Sequence, residues 1–125
     1  MTENDLSKIL VDSCYKIHTT LGPGLLESVY EEILAHELKT RKVNFKRQCE
    51  VPVQYQGLKM SIGFRADLIV EEKIIIELKS VEKVLPVHKK QLLTYLKLTN
   101  LKLGLLINFN EALIKNGITR IVNNL

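Results

Sequence analysis

The spacing of apolar residues predicts two amphipathic helices at the start of this chain. Over residues 5–18, and again over residues 25–41, apolar side chains recur every three or four positions, which is the period of a helix. The sequence Leu21-Gly-Pro-Gly24 separates the two segments, because glycine and proline interrupt helices. The predicted inner faces are Leu6, Ile9, Leu10, Cys14 and Ile17 in the first helix, and Val29, Tyr30, Ile33, Leu34 and Leu38 in the second.

Farther along the chain, apolar and polar residues alternate, and this period of two predicts strands. Gly57 turns the chain between the first two strands, and Pro86 opens a third helix. The predicted elements are strands at 44–56 and near 58–63, a hairpin at 64–80, a helix at about 86–99, a buried strand at 101–109, and a last strand or short appendage at 117–122. This order, ααββββαββ, predicts a single α/β domain over residues 1–125 with one central mixed sheet.

Three charged residues, Asp67, Glu77 and Lys79, interrupt the apolar strands of the predicted hairpin. Side chains alternate across a strand, so Glu77 and Lys79 share a face. If Glu71–Lys73 form a three-residue loop, Asp67 lies opposite Glu77, and Arg65 lies opposite Lys79. A two-residue loop would turn Asp67 away from Glu77. We therefore predict a loop with an odd number of residues.

This register also predicts what covers each face of the hairpin. Ile69 and Ile75 share the face of the carboxylates and partly bury it. Charge inside such strands needs a partner, because its desolvation is costly. One interpretation is a bound divalent cation, and the other is ion pairing on a solvated face. The opposite face carries Leu68, Val70, Ile74, Ile76 and Leu78, an apolar set suited to a core.

Composition narrows the class of protein. The 125 residues are enough for one domain, and 46% of them are hydrophobic, as in a globular protein with a real core. No apolar run approaches the ~20 residues that span a bilayer, and the acidic residues at Met1–Asp5 do not resemble a signal peptide. We therefore predict no membrane partner, a cytoplasmic location, and reduced thiols at Cys14 and Cys49.

The net charge of +4 allows a polyanionic partner such as nucleic acid. The second of two basic clusters directly follows the candidate metal residues. The alternative is that both are ordinary solvated faces. The clusters are Lys39, Arg41, Lys42, Lys46 and Arg47, and then Lys79, Lys83, Lys89 and Lys90.

A third carboxylate, Glu27, lies in the first turn of the second predicted helix. The helix dipole favours a carboxylate there, so Glu27 has a purely structural interpretation. Tyr30 shares its face, and Gly22 and Gly24 would let this helix start approach another element closely. Alternatively, Glu27 adds an oxygen ligand to a hairpin metal site, since Mg²⁺ prefers octahedral oxygen coordination.

Polar side chains also mark the third helix, where Gln91 and Tyr95 share a face. They are either ordinary boundary residues or groups that hydrogen-bond a phosphate. His88 is predicted to be a surface histidine. Cys14 and His18 have a spacing that could ligate zinc, but a structural zinc site usually needs four ligands and the sequence offers no second pair. A glycine-rich phosphate loop, a nucleophile elbow and a C-x-x-C motif are absent from the sequence.

The motifs together resemble the GxxExxY proteins, a branch of the PD-(D/E)XK nuclease superfamily. The name-giving motif is Gly24-Leu-Leu-Glu27-Ser-Val-Tyr30. The superfamily core is matched by Arg65-Ala-Asp67 and Glu77-Leu-Lys79, with Ala66 in place of the usual proline. Gln91-Leu-Leu-Thr-Tyr95 matches the Q-x-x-x-Y element of exonuclease branches, and the similarity covers about residues 10–110.

The resemblance implies a restriction-endonuclease-like core, with a mixed sheet flanked by helices, and a role for each motif residue. Asp67, Glu77 and the Leu78 carbonyl would ligate Mg²⁺ or Mn²⁺, and Glu27 would complete the site directly or through water. Lys79 would orient or activate the attacking water. The catalytic set implied by the resemblance also includes Glu27, Gln91 and Tyr95, the last two supporting the geometry.

These observations lead to one main hypothesis and two alternatives. The main one is a metal-dependent nuclease acting on DNA, either exonuclease-like or a structure-specific endonuclease, for which a homodimer is plausible because the chain is small. The first alternative is a non-catalytic nucleic-acid-binding or assembly module that retains the fold. The second is a defence-related or toxin-like protein with a dedicated partner.

Overall fold

The structure, a computed structural model, describes the backbone of residues 1–125 and every side chain except that of Ile62. Two helices come first, followed by three strands, a third helix and two further strands. The elements are α1 (Glu3–Leu21), α2 (Glu27–Thr40), β1 (Phe45–Tyr55), β2 (Leu58–Val70), β3 (Ile74–Lys79), α3 (Pro86–Thr99), β4 (Leu103–Asn108), a short 3-10 helix (Ile114–Asn116) and β5 (Ile118–Val122). None of these helices is long and apolar enough to cross a membrane.

The five strands form one mixed sheet in the order β1-β2-β3-β4-β5. Only β3 and β4 are parallel, and α3 makes the crossover between them. Val70 pairs with Ile74 and Leu68 pairs with Ile76, so the β2–β3 loop has three residues. The odd loop, and the register it imposes, are therefore confirmed.

Helices cover both faces of the sheet and create two apolar cores. The first core lies under α1 and α2, and the second lies under α3. The predicted core face of the hairpin (Leu68, Val70, Ile74, Ile76 and Leu78) belongs to the first core. Ile75 is buried in the second core and Ile69 packs against it, which confirms that both lie on the other face.

Three predictions about the elements were wrong. The strand near 58–63 and the first strand of the hairpin are one continuous strand, β2. Val29 is 38% exposed, because the neighbouring Tyr30 occupies the inward position of α2. Arg65 is not paired with Lys79, because the pairing of β2 with β3 ends at Leu68–Ile76. Arg65 instead pairs with Glu50 on β1 and forms an ion pair with it (2.8 Å).

The turn before α2 depends on the backbone conformation of its glycines. Gly22 and Gly24 have φ of 73° and 103°, in the region that favours glycine. A Cβ at either position would meet no atom within 4 Å. Gly22 and Gly24 therefore shape this turn through their backbone conformation and not through a tight contact at their own Cα atoms.

Tyr30 holds this turn from inside the first core. Its ring stacks on Phe109, with ring centroids 4.3 Å apart. Its hydroxyl donates to the Gly22 carbonyl (2.6 Å) and accepts from the Leu25 N–H (3.2 Å). Tyr30 therefore acts as a buried support for the start of α2, whereas Glu27, three residues earlier, is exposed.

We expect Tyr30→Phe to destabilise the protein by about 1–2 kcal/mol. Phenylalanine keeps the stacking on Phe109 but removes the partner of the Gly22 carbonyl and the Leu25 N–H, whose hydrogen bonds to Tyr30 are partly buried. Urea denaturation measures the change. Tyr15→Phe is the control, because Tyr15 is exposed on α1. Equal stability of the two variants would contradict this role for the Tyr30 hydroxyl.

Candidate metal centre

Asp67 lies where β2 separates from β3. Backbone pairing between these strands extends from Val70–Ile74 to Leu68–Ile76. At the next position the Asp67 side chain reaches across, and its Oδ2 accepts the Leu78 N–H at 2.8 Å. The carboxylate therefore bridges the opening between the strands. It is fixed to β3, which carries the other two residues of the motif.

Glu77 is the neighbouring carboxylate on β3, and its environment disfavours the charged form. Its Oε1 is buried and has no hydrogen-bond partner among the described residues. Burial, followed by the negative charge of Asp67, raises the pKa of Glu77 to about 9, while Lys79 acts in the opposite direction. A buried carboxylate oxygen without a donor is costly. Such an atom is suited to receive a cation.

The donor set fits a hard divalent cation. Two carboxylates and a backbone carbonyl offer only oxygen ligands, which Mg²⁺ and Mn²⁺ prefer. Within the described residues, no three His, Cys, Asp or Glu side chains converge into one ready-made metal cluster. Glu27 is therefore not brought into one cluster with Asp67 and Glu77 in this structure.

Glu27 instead lies at the edge of the site. Its Oε2 accepts the Ser80 N–H at 3.3 Å, directly beyond the end of β3. The Ser80 hydroxyl donates to the Leu25 carbonyl at 2.6 Å, so the start of α2 is fixed to the end of β3. Glu27 and Asp67 both line an open cleft of about 410 Å³, whose other lining residues are Ser28, Glu31, Gln48 and Leu78.

Lys79 is the last residue of β3 and is half-buried. Its carbonyl accepts the Phe109 N–H at 3.0 Å. The buried side chain of Asn108, opposite Lys79 on β4, holds the following segment by bonding both the N–H and the carbonyl of Val81. The backbone of Lys79 is therefore rigidly placed. Among the described residues its ammonium group takes part in no ion pair.

Of the two polar residues predicted from α3, only Tyr95 is brought to the site. Its ring stacks on Phe64, with centroids 3.7 Å apart. Burial, and then the charges of Glu77 and Asp67, raise the pKa of Tyr95, so this phenol lies within the field of both carboxylates. Gln91 is exposed, and the described structure gives it no hydrogen bond to the carboxylates.

Two residues of the cleft were missed from the sequence. Glu31 lies one helical turn after Glu27 on α2, and that spacing was a signal that could have found it. Gln48 comes from β1, and its Nε2 donates to Glu31 Oε1 (2.5 Å) and to Asp67 Oδ1 (3.4 Å). Nothing in the local sequence around Gln48 indicates this contact.

The two basic clusters differ in the structure. In the first, Arg41 and Arg47 are both held by carboxylates at 2.6–3.0 Å, and Lys46 lies 3.7 Å from Glu72. In the second, none of the four lysines forms an ion pair in the part of the chain that the structure describes. Of these four lysines, Lys79 lies close enough to Glu77 to oppose the rise in the pKa of that carboxyl. The second cluster consists of Lys79, Lys83, Lys89 and Lys90.

Cys14, His18 and His88 have structural contacts. Cys14 is buried in the first core, and burial raises the pKa of its thiol to about 12. The His18 Nε2 donates to the Glu111 carbonyl at 2.8 Å. His88 was predicted at the surface but is half-buried, and its Nδ1 accepts the Leu85 N–H at the start of α3 (3.1 Å). Cys49 carries a free thiol.

Comparison with known proteins agrees with this geometry. A model of the PD-(D/E)XK nuclease superfamily matches residues 4–121. The chain is similar to a chain in the crystal structure of a protein named SSO0001, with 26% sequence identity and a TM-score of 0.54. That match covers 98% of this chain and 60% of the other, so the chain spans about 60% of the length of that solved chain. No curated protein matches. The restriction-endonuclease-like α/β fold is confirmed.

Proposed function

The chain belongs to the PD-(D/E)XK nuclease superfamily, and we propose that it is a metal-dependent nuclease that hydrolyses phosphodiester bonds in DNA. The observation that carries this proposal is the buried Oε1 of Glu77, which lacks a hydrogen-bond partner among the described residues and lies beside Asp67. A cation at this point would satisfy the oxygen and favour the ionised form of Glu77. Membership of the superfamily suggests the same chemistry.

Asp67, Glu77 and the Leu78 carbonyl would hold the Mg²⁺ or Mn²⁺ in this proposal. The bound cation would supply Lewis-acid activation of water and neutralise charge on the scissile phosphate. The N–H of Leu78 already fixes one oxygen of Asp67, so the chain orients this ligand before any ion binds. Glu27 would assist from the mouth of the cleft, directly or through water.

Lys79 would orient the attacking water and stabilise the negative charge that develops on the phosphate. Its unpaired ammonium group and its rigid backbone suit this role. In the hydrolysis, the water oxygen forms a bond to phosphorus while the bond to the leaving oxygen breaks, and the leaving oxygen gains a proton. Tyr95 and Gln91 would support the geometry from α3.

A nucleic-acid substrate is supported by the second basic cluster, whose lysines form no ion pair among the described residues and whose first member, Lys79, lies near Glu77. Lysines neutralise phosphates and so strengthen binding to DNA. We also propose that the chain belongs to the GxxExxY branch, acts in the cytoplasm as an exonuclease-like enzyme or a structure-specific endonuclease, and works as a homodimer. A small domain offers little binding surface by itself.

Isothermal titration calorimetry with Mn²⁺ and Mg²⁺ tests the metal site. We expect wild type to bind, and Asp67→Ala to lose binding, because the variant lacks one of two carboxylate ligands. Asp12→Ala is the control, since this aspartate pairs with Arg41 on another part of the surface. Binding by the wild type would justify a screen of linear, single-stranded and branched substrates. A wild type that binds neither ion, even with an oligonucleotide present, would overturn the proposal.

A further inference from the structure

Gln48 links two acidic residues that come from different elements. One carboxamide nitrogen donates to Glu31 Oε1 on α2 (2.5 Å) and to Asp67 Oδ1 on β2 (3.4 Å). The two N–H groups of this nitrogen thereby connect a helix to the carboxylate of the candidate metal centre. Asp67 Oδ2 is bound to the Leu78 N–H. Each oxygen of Asp67 thus has its own donor, and the plane of the carboxylate is fixed.

The backbone of Gln48 is in a conformation that residues other than glycine rarely adopt. Its φ is 47°, in the left-handed region. The residues on either side pair normally with β2, Arg47 with Leu68 and Cys49 with Ala66, so Gln48 is placed across from Asp67. Gln48 has this conformation inside a strand, so the pairs on either side of it and the contacts of its side chain hold it there.

Glu31, the second acceptor of the Gln48 carboxamide, is held in place by its own contacts. Glu31 is only 6% exposed, and its Oε2 lies 3.0 Å from the guanidinium group of Arg47. Arg47 also binds Glu32 at 2.8 Å. Arg47 neutralises Glu31, so two carboxylates can share one amide nitrogen without strong repulsion. Glu31 is therefore a fixed acceptor that holds the Gln48 carboxamide against Asp67.

We propose that Gln48 is a positioning residue that fixes the orientation of the Asp67 carboxylate for cation binding. The proposal rests on the proposed function, in which Asp67 is a metal ligand. Groups that orient a metal ligand typically contribute about 10–100-fold to metal affinity. Gln48 acts only through Asp67 and does not itself contact the cation.

Two substitutions separate the side chain from the backbone. Gln48→Gly removes the amide but tolerates a φ of 47°, so the chain keeps its path. Gln48→Met keeps the length of the side chain and the free-energy cost of a left-handed backbone in a non-glycine residue, but it removes the N–H donors. Gln56→Gly is the matched control, because Gln56 has a φ of 46° in the exposed turn between β1 and β2.

The measurements are the Mn²⁺ affinity, the thermal midpoint, and hydrogen exchange of the Leu78 amide without metal. We expect Gln48→Gly and Gln48→Met to weaken Mn²⁺ binding about 10–100-fold and to speed exchange at Leu78, because Asp67 is then held by one bond. We expect the midpoint of Gln48→Gly to remain at or above that of wild type. Gln56→Gly should change neither the affinity nor the exchange.

Several results would overturn this role. Unchanged exchange at Leu78 in both variants would show that Asp67 is oriented without Gln48. A loss of Mn²⁺ affinity that only accompanies a fall in the midpoint of Gln48→Gly would make the role structural. If wild type binds no Mn²⁺, the proposed function fails, and the exchange of the Leu78 amide still decides whether Gln48 fixes Asp67.

Discussion

Replacing Glu77 by glutamine is expected to stabilise the metal-free protein at alkaline pH and to abolish cation binding. The pKa of Glu77 is raised from 4.5 to about 9 in the folded state, by burial first and by Asp67 second. Between these pH values the folded protein binds more protons at this position than the unfolded chain. The stability of wild type therefore falls as pH rises through this window.

Glutamine does not titrate, so Glu77→Gln lacks this loss of stability. We expect the variant to be more stable than wild type by at least about 2 kcal/mol at pH 9, and the difference to shrink towards pH 5. Urea denaturation at several pH values, with a chelator present, measures it. Calorimetry on the same variant should show no binding of Mn²⁺, since one carboxylate ligand is lost.

Glu82→Gln is the matched control, because Glu82 is exposed in the loop after β3. Its stability should follow that of wild type across the whole pH range. If wild type and Glu77→Gln have parallel pH profiles, Glu77 is ionised without cost in the folded protein. Such an ionised Glu77 would not need a cation beside Asp67, and this result would contradict the proposed metal site.

The raised pKa of Glu77 also predicts how the affinity for metal depends on pH. A cation must displace the proton of Glu77, so the Mn²⁺ affinity of wild type should rise as pH increases towards 9. The same environment that destabilises the empty site therefore strengthens binding once the carboxylate is ionised. Stability and function oppose each other at this residue.

The hairpin register could be predicted from the sequence because it depends on local facts. The length of the loop at Glu71–Lys73 and the alternation of side chains are both properties of consecutive residues. The start of α3 at Pro86 was predictable for the same reason. The loop length and the alternation of side chains place Asp67 and Glu77 at neighbouring positions, and they place Lys79 on the same face as Glu77.

The parts that could not be predicted depend on contacts between distant segments. The bond from Leu78 to Asp67 forms only where the two strands separate, and the strand pattern does not show that point. Arg65 was misplaced because the prediction extended the β2–β3 pairing too far. The contact of Gln48 with Glu31 joins β1 to α2, and neither this contact nor the left-handed backbone of Gln48 is encoded by a local pattern.

Replacing Lys79 by methionine is expected to reduce DNA cleavage by about 10²–10⁴-fold while leaving Mn²⁺ affinity within about tenfold of wild type. Methionine retains the apolar stem but removes the ammonium group that would orient water and stabilise charge on the phosphate. Both carboxylates remain, so the cation can still bind. Single-turnover cleavage at saturating Mn²⁺, on the substrate found in the nuclease screen, measures the chemical step.

Lys83→Met separates this catalytic role from the general attraction of a basic surface. Lys83 belongs to the same unpaired cluster but lies beyond the end of β3. Its removal should weaken DNA binding and reduce the salt dependence, with little change in the single-turnover rate. If Lys79→Met behaves in the same way, Lys79 only attracts DNA. If wild type binds DNA without cleaving any substrate, and both variants only weaken binding, the chain is a non-catalytic module that retains the nuclease fold.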